Sequence, residues 1–412
     1  MEQLAIHGGP KAKTVPYEQP NKYGAAELEQ LTEVIESGKL MGPDGKVREL
    51  EEALADFYGV PHAIMVSSGT AALHTALCAL GVAEGDEVIT TPMTDIGTVS
   101  AILALHAIPI FADIDPDTRL ISLDTIRRRI SPRTKVVVAV HMAGVCCDLA
   151  GIRSIGDEHG IRVLEDCAQS HGARLNGRLL GTIGDAAGFS MNESKQVSTG
   201  DGGFVLTRDD RTGEIASLFR DKTYIRGGKV ARGKQPIPFF ALNYRPTALQ
   251  AAVALAQLRK LPELVERRSA LVDRYYRDLG DLPCLDLPKL TPGAEPSYWP
   301  LPARYTGSDP SRDEVAEALQ AEGIPISTGM TPPRNILTTE MVQRKKYYPL
   351  TDEVPAFWRN TEYDPNSCPN VDELQRTVIR LPVDQRYSDR DIDETIAAVH
   401  KVWHHLVPSG RR

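Results

Sequence analysis

The hydrophobic residues of this chain fall into short apolar runs separated by longer stretches of helical period. An apolar residue about every 3.6 positions predicts a helix, and short β-branched runs bounded by turn residues predict strands. The predicted strands are 63–66, 87–91, 108–111, 135–140, 162–164, 186–189 and 203–207, and the helices between them are 71–80, 97–106, 123–130 and 149–159. This alternation predicts an α/β fold of three layers, in which a mostly parallel sheet is covered by helices on both faces. Ligands of such sheets bind beyond the carboxyl ends of the strands.

The two ends of the chain differ from this central pattern. Residues 1–22 are polar and proline-containing, which indicates an arm that packs on another part of the molecule. Residues 23–265 form the predicted large domain and 266–412 a smaller α/β C-terminal domain, with two helices, 247–261 and 261–279, at the junction. The aromatic, proline-rich stretch 331–370 either forms a wall of the pocket or packs against the small domain.

Composition and charge narrow the classes of function. The 412 residues are 42% hydrophobic and 25% charged, which is typical of a soluble globular protein. The net charge of −8 gives no general attraction for nucleic acid. The sequence contains no apolar run near the roughly 18 residues of a membrane helix and no signal-peptide pattern at its start, so we expect a cytoplasmic protein. Its six cysteines form no CxxC pair, which favours reduced thiols over a metal site.

The first candidate site is a turn of small residues between a predicted strand and a predicted helix. Ser68, Gly69 and Thr70 stand there. Small residues let the backbone approach an anion, and a helix N-terminus offers free N–H groups and the positive end of its dipole. The turn therefore fits a phosphate group, although a simple helix cap by Ser or Thr explains the same residues.

Two ionisable residues complete a possible cofactor site. Asp166 stands where an apolar strand ends, so its carboxylate could pair with a cationic ring nitrogen, although a surface acid fits too. Lys195 lies between a predicted strand and a glycine-rich turn, where a pocket lysine can lose its proton and attack an aldehyde. A lysine near glycines is more often a surface residue. However, a phosphate turn, an acid and a lysine in this order are what a pyridoxal 5′-phosphate (PLP) site requires.

At these residues the chain resembles the DegT/DnrJ/EryC1/StrS aminotransferases, the sugar and cyclitol branch of the fold-type I PLP enzymes. The resemblance runs from about residue 38 to residue 399. The matching segments are SGTAAL (68–73), FADID (111–115), EDCAQSHG (165–172), SMNESK (190–195) and NYR (243–245). The set is highly specific, whereas each segment alone is not.

The resemblance implies a role for each matching residue. Lys195 would carry PLP as a Schiff base and move protons, Asp166 would pair with the ring nitrogen, and Gln169 would bond the ring hydroxyl. The phosphate would be held by a set of small and hydroxyl residues: Ser68, Gly69, Thr70 and Ser190. Asn243 would reach the cofactor of a neighbouring subunit, which implies a homodimer with shared active sites. No metal is expected.

One position departs from the family pattern. The family usually places an aromatic residue on the cofactor ring shortly after the strand that ends near residue 91, and here Asp95 stands at that place. Met93 could contact the ring instead, or Asp95 could address a polar group of the substrate, or Asp95 could simply cap the next helix. His141 follows the strand 135–140 and either lines the pocket or has a structural role.

The resemblance implies transamination. L-Glutamine or L-glutamate would donate an amino group, and a keto sugar or keto-cyclitol would accept it, in antibiotic or other secondary-metabolite biosynthesis or in cell-surface sugar biosynthesis. Two alternatives stay open. One is a PLP enzyme on the same scaffold with other chemistry, such as a dehydratase, or with a non-sugar substrate. The other is a catalytically silent binding protein, which the intact Lys195, Asp166 and Gln169 disfavour.

Overall fold

A computed structural model describes residues 2–19, 21–41, 45–226, 230–330 and 335–407. The strands, in chain order, are β1 (His62–Val66), β2 (Glu87–Thr90), β3 (Ile108–Phe111), β4 (Thr134–Val140), β5 (Arg162–Asp166), β6 (Arg174–Leu175), β7 (Arg178–Leu179), β8 (Ala186–Ser190), β9 (Gly203–Thr207), β10 (Leu285–Asp286), β11 (Ala294–Glu295), β12 (Leu301–Tyr305) and β13 (Val378–Leu381). All seven strands predicted from the sequence are present. The short strands β6, β7 and β10–β13 were not predicted.

The helices also follow the apolar pattern. In chain order they are α1 (Ala25–Ser37), α2 (Lys46–Tyr58), α3 (Gly69–Ala79), α4 (Ile96–Leu103), α5 (Leu123–Arg129), α6 (Leu149–His159), α7 (Asp210–Phe219), α8 (Ala248–Leu279), α9 (Arg312–Ala321), α10 (Glu340–Gln343), α11 (Pro369–Thr377) and α12 (Asp389–Leu406). None of them combines the length and apolar composition that crossing a membrane requires, within the part of the chain that the structure describes.

The main sheet decides where a ligand can bind. Within the described residues it has seven strands in the order β1-β9-β8-β5-β4-β2-β3. β9 is antiparallel to both of its neighbours, and the other neighbouring pairs are parallel. The carboxyl ends of β1, β2, β4, β5 and β8 therefore meet at one edge, where irregular backbone can present side chains to a ligand. Helices cover the sheet on both faces, as the alternating pattern predicted.

The junction predicted as two helices is one helix. α8 continues for 32 residues through Pro262, whose missing N–H and ring would ordinarily kink or break a helix. Buried side chains on both sides of Pro262, including Leu258, Leu261 and Leu271, hold it in place. Beyond α8, β10, β12 and β13 form a small antiparallel sheet. A domain boundary near residue 265 stays a prediction.

The N-terminal arm binds the C-terminal part of the chain. The buried Glu322, just after α9, accepts hydrogen bonds from the backbone N–H of Ala5 at 2.9 Å and of Ala12 at 2.8 Å. Its carboxylate also pairs with the ammonium of Lys401 at 3.0 Å. Lys13 pairs with Asp391 on α12 at 2.5 Å, and both of these side chains are buried. Charged groups out of water need such partners, so these pairs fix the path of the arm.

Within its described part, 335–370, the stretch predicted as a pocket wall or small-domain contact supplies no lining residue of the cavity described below. It does contact the C-terminal part of the chain, where Asn335 donates to Asp372 on α11 at 2.8 Å. Its aromatic side chains pack against the edge of the large domain. The hydroxyl of Tyr363 donates to the carbonyl oxygen of Pro109 on the edge strand β3 at 2.8 Å, and Phe357 stacks on His106. Trp358 is fully buried there. The stretch covers an edge strand that would otherwise be open to pairing with another chain. Residues 331–334 lie outside the described residues.

We expect Glu322→Ala to lower the free energy of unfolding by about 3 kcal/mol, because it leaves the buried ammonium of Lys401 without a carboxylate partner and two backbone N–H groups without an acceptor. Urea denaturation measures the change. Glu317→Ala is the matched control, since Glu317 is exposed on α9 and should cost no more than about 0.5 kcal/mol. Equal losses in the two variants would show that Glu322 does not anchor the arm.

Candidate active site

A cavity of about 460 Å³ opens at the carboxyl edge of the main sheet. Its lining comes from the residues that follow β1, β2, β4, β5 and β8, together with one residue from the segment before β12. The lining includes most of the residues singled out from the sequence: Ser68, Gly69, Thr70, Asp95, His141, Asp166, Gln169, Ser190 and Lys195. The topology thus brings together side chains that are up to 231 positions apart in the sequence, from Ser68 to Trp299.

Asp166 is the buried acid of this cavity. It ends β5, and its carboxylate accepts hydrogen bonds from the hydroxyl of Thr98 at 2.8 Å and from the backbone N–H of Ala168 at 3.1 Å. Burial raises the pKa of Asp166, while these two donors and the charge of Lys195 lower it. Because burial has the largest effect on the pKa of Asp166, a further cation beside this carboxylate would stabilise its charged form.

The phosphate end of the cavity is built from two chain segments in close contact. Ser68 caps α3 by accepting a hydrogen bond from the N–H of Ala71 at 3.1 Å. A Cβ atom on Gly69 would lie only 2.6 Å from the Cβ of Ser190, at the end of β8. Glycine is therefore required where the start of α3 meets the end of β8. The result is a helix N-terminus flanked by the hydroxyls of Thr70 and Ser190, which suits an anion.

Lys195 lies in the same cavity, over an aromatic ring that the sequence did not indicate. Its Nζ is 4.1 Å from the ring centroid of Trp299, and the indole N–H of Trp299 donates to the carbonyl oxygen of Ser194 at 2.8 Å. Burial lowers the pKa of Lys195, and the charges of Asp166 and Asp95 raise it. Trp299 was missed because it lies 105 residues from Ser194 in the sequence, and no local pattern marks it.

Gln169 and His141 are held by buried hydrogen bonds behind the cavity. Oε1 of Gln169 accepts from the N–H of Ala143 at 2.7 Å, so its amide nitrogen is the group left for a ligand. Nδ1 of His141 accepts from the N–H of Cys147, which leaves Nε2 to donate to Glu165 at 3.2 Å. Both roles considered for His141, structural and pocket-lining, therefore apply.

A possible metal cluster beside this site has a simpler explanation. Ligand atoms of His141, Glu165 and Cys167 lie within 4.8 Å of one another. The carboxylate of Glu165 already accepts from His141 and from the N–H groups of Gly181, Ile183 and Gly184. Those bonds lower the pKa of Glu165, and burial keeps the pKa of the Cys167 thiol well above its usual value. The cluster is thus accounted for as a buried hydrogen-bond network.

Asp95 and Met93, the two residues considered for the position of the usual aromatic side chain, lie in different environments. Asp95 caps α4, with Oδ1 accepting the N–H of Gly97 at 2.8 Å, and it also lines the cavity. Met93 belongs to the hydrophobic core, is 1% exposed and is not among the lining residues. The possible ring contact by Met93 therefore has no structural support. The turn after β2 directs Met93 inward instead.

Asn243 lies apart from the cavity. It is exposed, forms an isolated bridge with Asp221, and accepts a hydrogen bond from the backbone N–H of Arg245 through Oδ1. The family resemblance implied a contact with a neighbouring subunit's cofactor, and that role stays a prediction. Thr94 and Thr98 are lining residues that the sequence did not indicate.

These residues fit PLP on structural grounds. The helix N-terminus and the hydroxyls beside it fit a phosphate group. The buried carboxylate of Asp166 fits a cationic ring nitrogen. Lys195, whose pKa is lowered by burial, fits an aldehyde with which it can react. The fold and the cavity define a fold-type I PLP-dependent enzyme.

The comparison with known families gives the particular family. The model of the DegT/DnrJ/EryC1/StrS aminotransferase family matches residues 21–335. The chain belongs to this family, as the resemblance implied, and is a PLP-dependent aminotransferase.

Relatives and solved structures agree with that assignment. A protein of Streptoalloteichus tenebrarius, with the assigned name L-glutamine:3-amino-2,3-dideoxy-scyllo-inosose aminotransferase, is 35% identical over 78% of this chain and 79% of its own. GDP-perosamine synthase of Vibrio cholerae is 35% identical over 69% of this chain and 76% of its own. The structure of DesI in the presence of its TDP-sugar product superposes with a TM-score of 0.77 at 28% identity, covering 98% of each chain.

We expect Trp299→Leu to lower the pKa of Lys195 further, because the face of an aromatic ring stabilises an ammonium by about 0.5–2 kcal/mol. The shift should be at least about a third of a pH unit. The pH dependence of the reaction of Lys195 with an amine-specific reagent measures it in the cofactor-free enzyme. Trp299→Phe is the control, since it keeps an aromatic face and loses only the bond to Ser194. A pH profile that Trp299→Leu leaves unchanged would contradict the role of the ring.

Proposed function

We propose that this enzyme transfers an amino group from L-glutamine or L-glutamate to a keto sugar or keto-cyclitol. The observation that carries the proposal is the convergence of Lys195, Asp166 and the Ser68–Thr70 turn on one cavity at the carboxyl edge of the sheet. The relatives named above act, by their names, on a keto-cyclitol and on nucleotide-linked sugars, which supports this class of acceptor. A place in antibiotic or cell-surface sugar biosynthesis, and a cytoplasmic location, stay predictions from the sequence.

Each role implied by the family resemblance is supported by the position of its residue in the cavity. Bound PLP supplies an aldehyde for amine capture and an electron sink for the carbon that loses a proton. Asp166 stabilises the positive charge of the ring nitrogen, and in return that charge stabilises the buried carboxylate. Gln169 donates its amide N–H to the ring hydroxyl. Ser68, Gly69, Thr70 and Ser190 bind the phosphate and fix the ring in one orientation.

Lys195 is the proposed proton carrier. Its Nζ takes a proton from one carbon and returns it to another, as general base and then general acid. A base of this kind works best with a pKa near the pH of the reaction, and burial moves the pKa of Lys195 down from 10.5 in that direction. The charges of Asp166 and Asp95 oppose that shift.

The absorbance spectrum of the enzyme with PLP tests the proposal. We expect a visible band that Lys195→Ala abolishes and that L-glutamine or L-glutamate bleaches. Lys135→Ala is the matched control, because Lys135 is exposed near the start of β4, and it should keep the band. A band that ignores all amino donors would point to PLP chemistry other than transamination. Absence of any band would support the silent-scaffold alternative.

We also propose a homodimer in which Asn243 completes the partner's site. Asn243→Ala should weaken PLP binding about tenfold, the usual effect of losing a hydrogen bond to a charged group. Hybrid dimers make the test specific. Mixing Asn243→Ala chains with Lys195→Ala chains should rebuild one intact site per hybrid, measured as PLP bound at low concentration. Failure to recover binding after proven subunit exchange would exclude a role across the interface.

A further inference from the structure

Asp95 presents a carboxylate to the active-site cavity with one oxygen uncommitted. Its Oδ1 closes the first turn of α4 by accepting the N–H of Gly97. Its Oδ2 accepts no hydrogen bond from any described residue. Asp95 is exposed where it lines the cavity, whereas Thr94 before it is buried and Ile96 after it is half-buried. Capping therefore uses one oxygen and leaves the other for a ligand.

Two neighbours fix where this carboxylate stands relative to the cofactor site. A Cβ on Gly97 would lie 2.6 Å from Oγ1 of Thr70 and 3.0 Å from Oδ1 of Asp95, so Asp95 lies beside the phosphate turn. Thr98, which lies on α4 three residues after Asp95, donates a hydrogen bond to Asp166. Residues three apart share a helix face. Asp95 therefore lies on the face of α4 that runs between the phosphate end and the ring-nitrogen end of the cavity.

The balance of charge in the cavity leaves Asp95 without a partner. Among the described lining residues the carboxylates are Asp95, Asp166 and Asp201, and Lys195 is the cation. Asp166 is matched by the ring nitrogen, and the amine of Lys195 is used to bind the aldehyde. Asp201, before β9, likewise uses Oδ1 to accept the N–H of the adjacent Gly202, so it is the other carboxylate that could meet a cation. A carboxylate in a partly enclosed cavity favours a cationic group on the ligand that enters.

On the basis of the proposed function, we propose that Asp95 binds an ammonium group of the acceptor. The acceptor is then a keto sugar or keto-cyclitol that already carries an amine. The keto carbon loses its oxygen as water, gains the amino group taken from the donor and a proton from Lys195, and is reduced by the two electrons that leave the donor when its amino carbon becomes a keto group. The bound ammonium is not consumed, and the product is a diamine. Asp95 acts as a specificity-determining residue in place of the aromatic side chain that the family pattern predicts.

The test runs the acceptor half-reaction in reverse with two matched amines. PLP-loaded enzyme is mixed with a 1,3-diaminocyclitol or with the matching 1-amino-3-hydroxycyclitol, and loss of the visible band is followed against concentration. At pH 7 the spare amine of the diamine is protonated. We expect half-saturation by the diamine at a concentration at least about tenfold lower, which exceeds the doubling that a second equivalent amine gives by statistics.

Asp95→Asn and Asp95→Ser separate charge from structure. Asn and Ser cap helices about as well as Asp, so both variants keep the start of α4 and remove only the carboxylate. Both should abolish the preference for the diamine. An N,N-dimethylaminocyclitol cannot form a Schiff base and gives a readout without turnover. Its dissociation constant, measured by calorimetry, should rise about tenfold in both variants.

Two outcomes would overturn the inference: equal use of the two amines by the wild-type enzyme, or a preference that survives in both Asp95 variants. The second would assign cation binding to another group, such as Asp201. The inference and the proposed function fail separately. If L-glutamate bleaches the band but the amines are not distinguished, only the inference fails. If neither amino donors nor cyclitol amines bleach the band, the proposed function fails.

Discussion

Asp166 ends the central strand β5 fully inside the protein, where the loss of water penalises its charge. Thr98 on α4 and the backbone N–H of Ala168, two residues further along the chain, donate hydrogen bonds to this carboxylate, and the charge of Lys195 also lowers its pKa. Those contacts still leave burial as the largest effect on the pKa of Asp166. In the proposed function a cationic ring nitrogen supplies the missing stabilisation, so the most buried acid of the cavity would also select its ligand.

Glu165, which precedes Asp166 in the sequence, has a structural role instead. Successive residues of a strand point to opposite faces, so Glu165 and Asp166 enter different environments. Glu165 receives a full set of hydrogen bonds from the turn before β8 and from His141, which lower its pKa. It fastens that turn to β5. One carboxylate therefore fixes the framework, and its neighbour lines the cavity.

The turn that carries Lys195 is held from parts of the chain outside the sheet. Lys22, at the end of the N-terminal arm, donates to the carbonyl oxygens of Glu193 at 3.1 Å and of Lys195 at 2.5 Å. Trp299, from the segment before β12, donates to the carbonyl oxygen of Ser194 on the same turn. The arm is in turn bound to Glu322 and Asp391. The placement of the reactive lysine thus depends on both ends of the chain, which is a reason for the arm to be anchored by buried ion pairs.

The sequence by itself determined the main sheet, most of its helices and the residues at the strand ends, because apolar period and turn chemistry are local properties. Ser68, Asp166 and Lys195 could be found for the same reason: each follows a strand, and parallel strands end at one edge. Only the tertiary structure decided that α8 continues through Pro262, that the stretch 335–370 covers β3, and that Met93 is buried while Asp95 faces the cavity. It alone brought Trp299 to Lys195 and Thr98 to Asp166. These contacts join residues 68 to 104 positions apart, and they depend on how the layers pack, which no local pattern encodes.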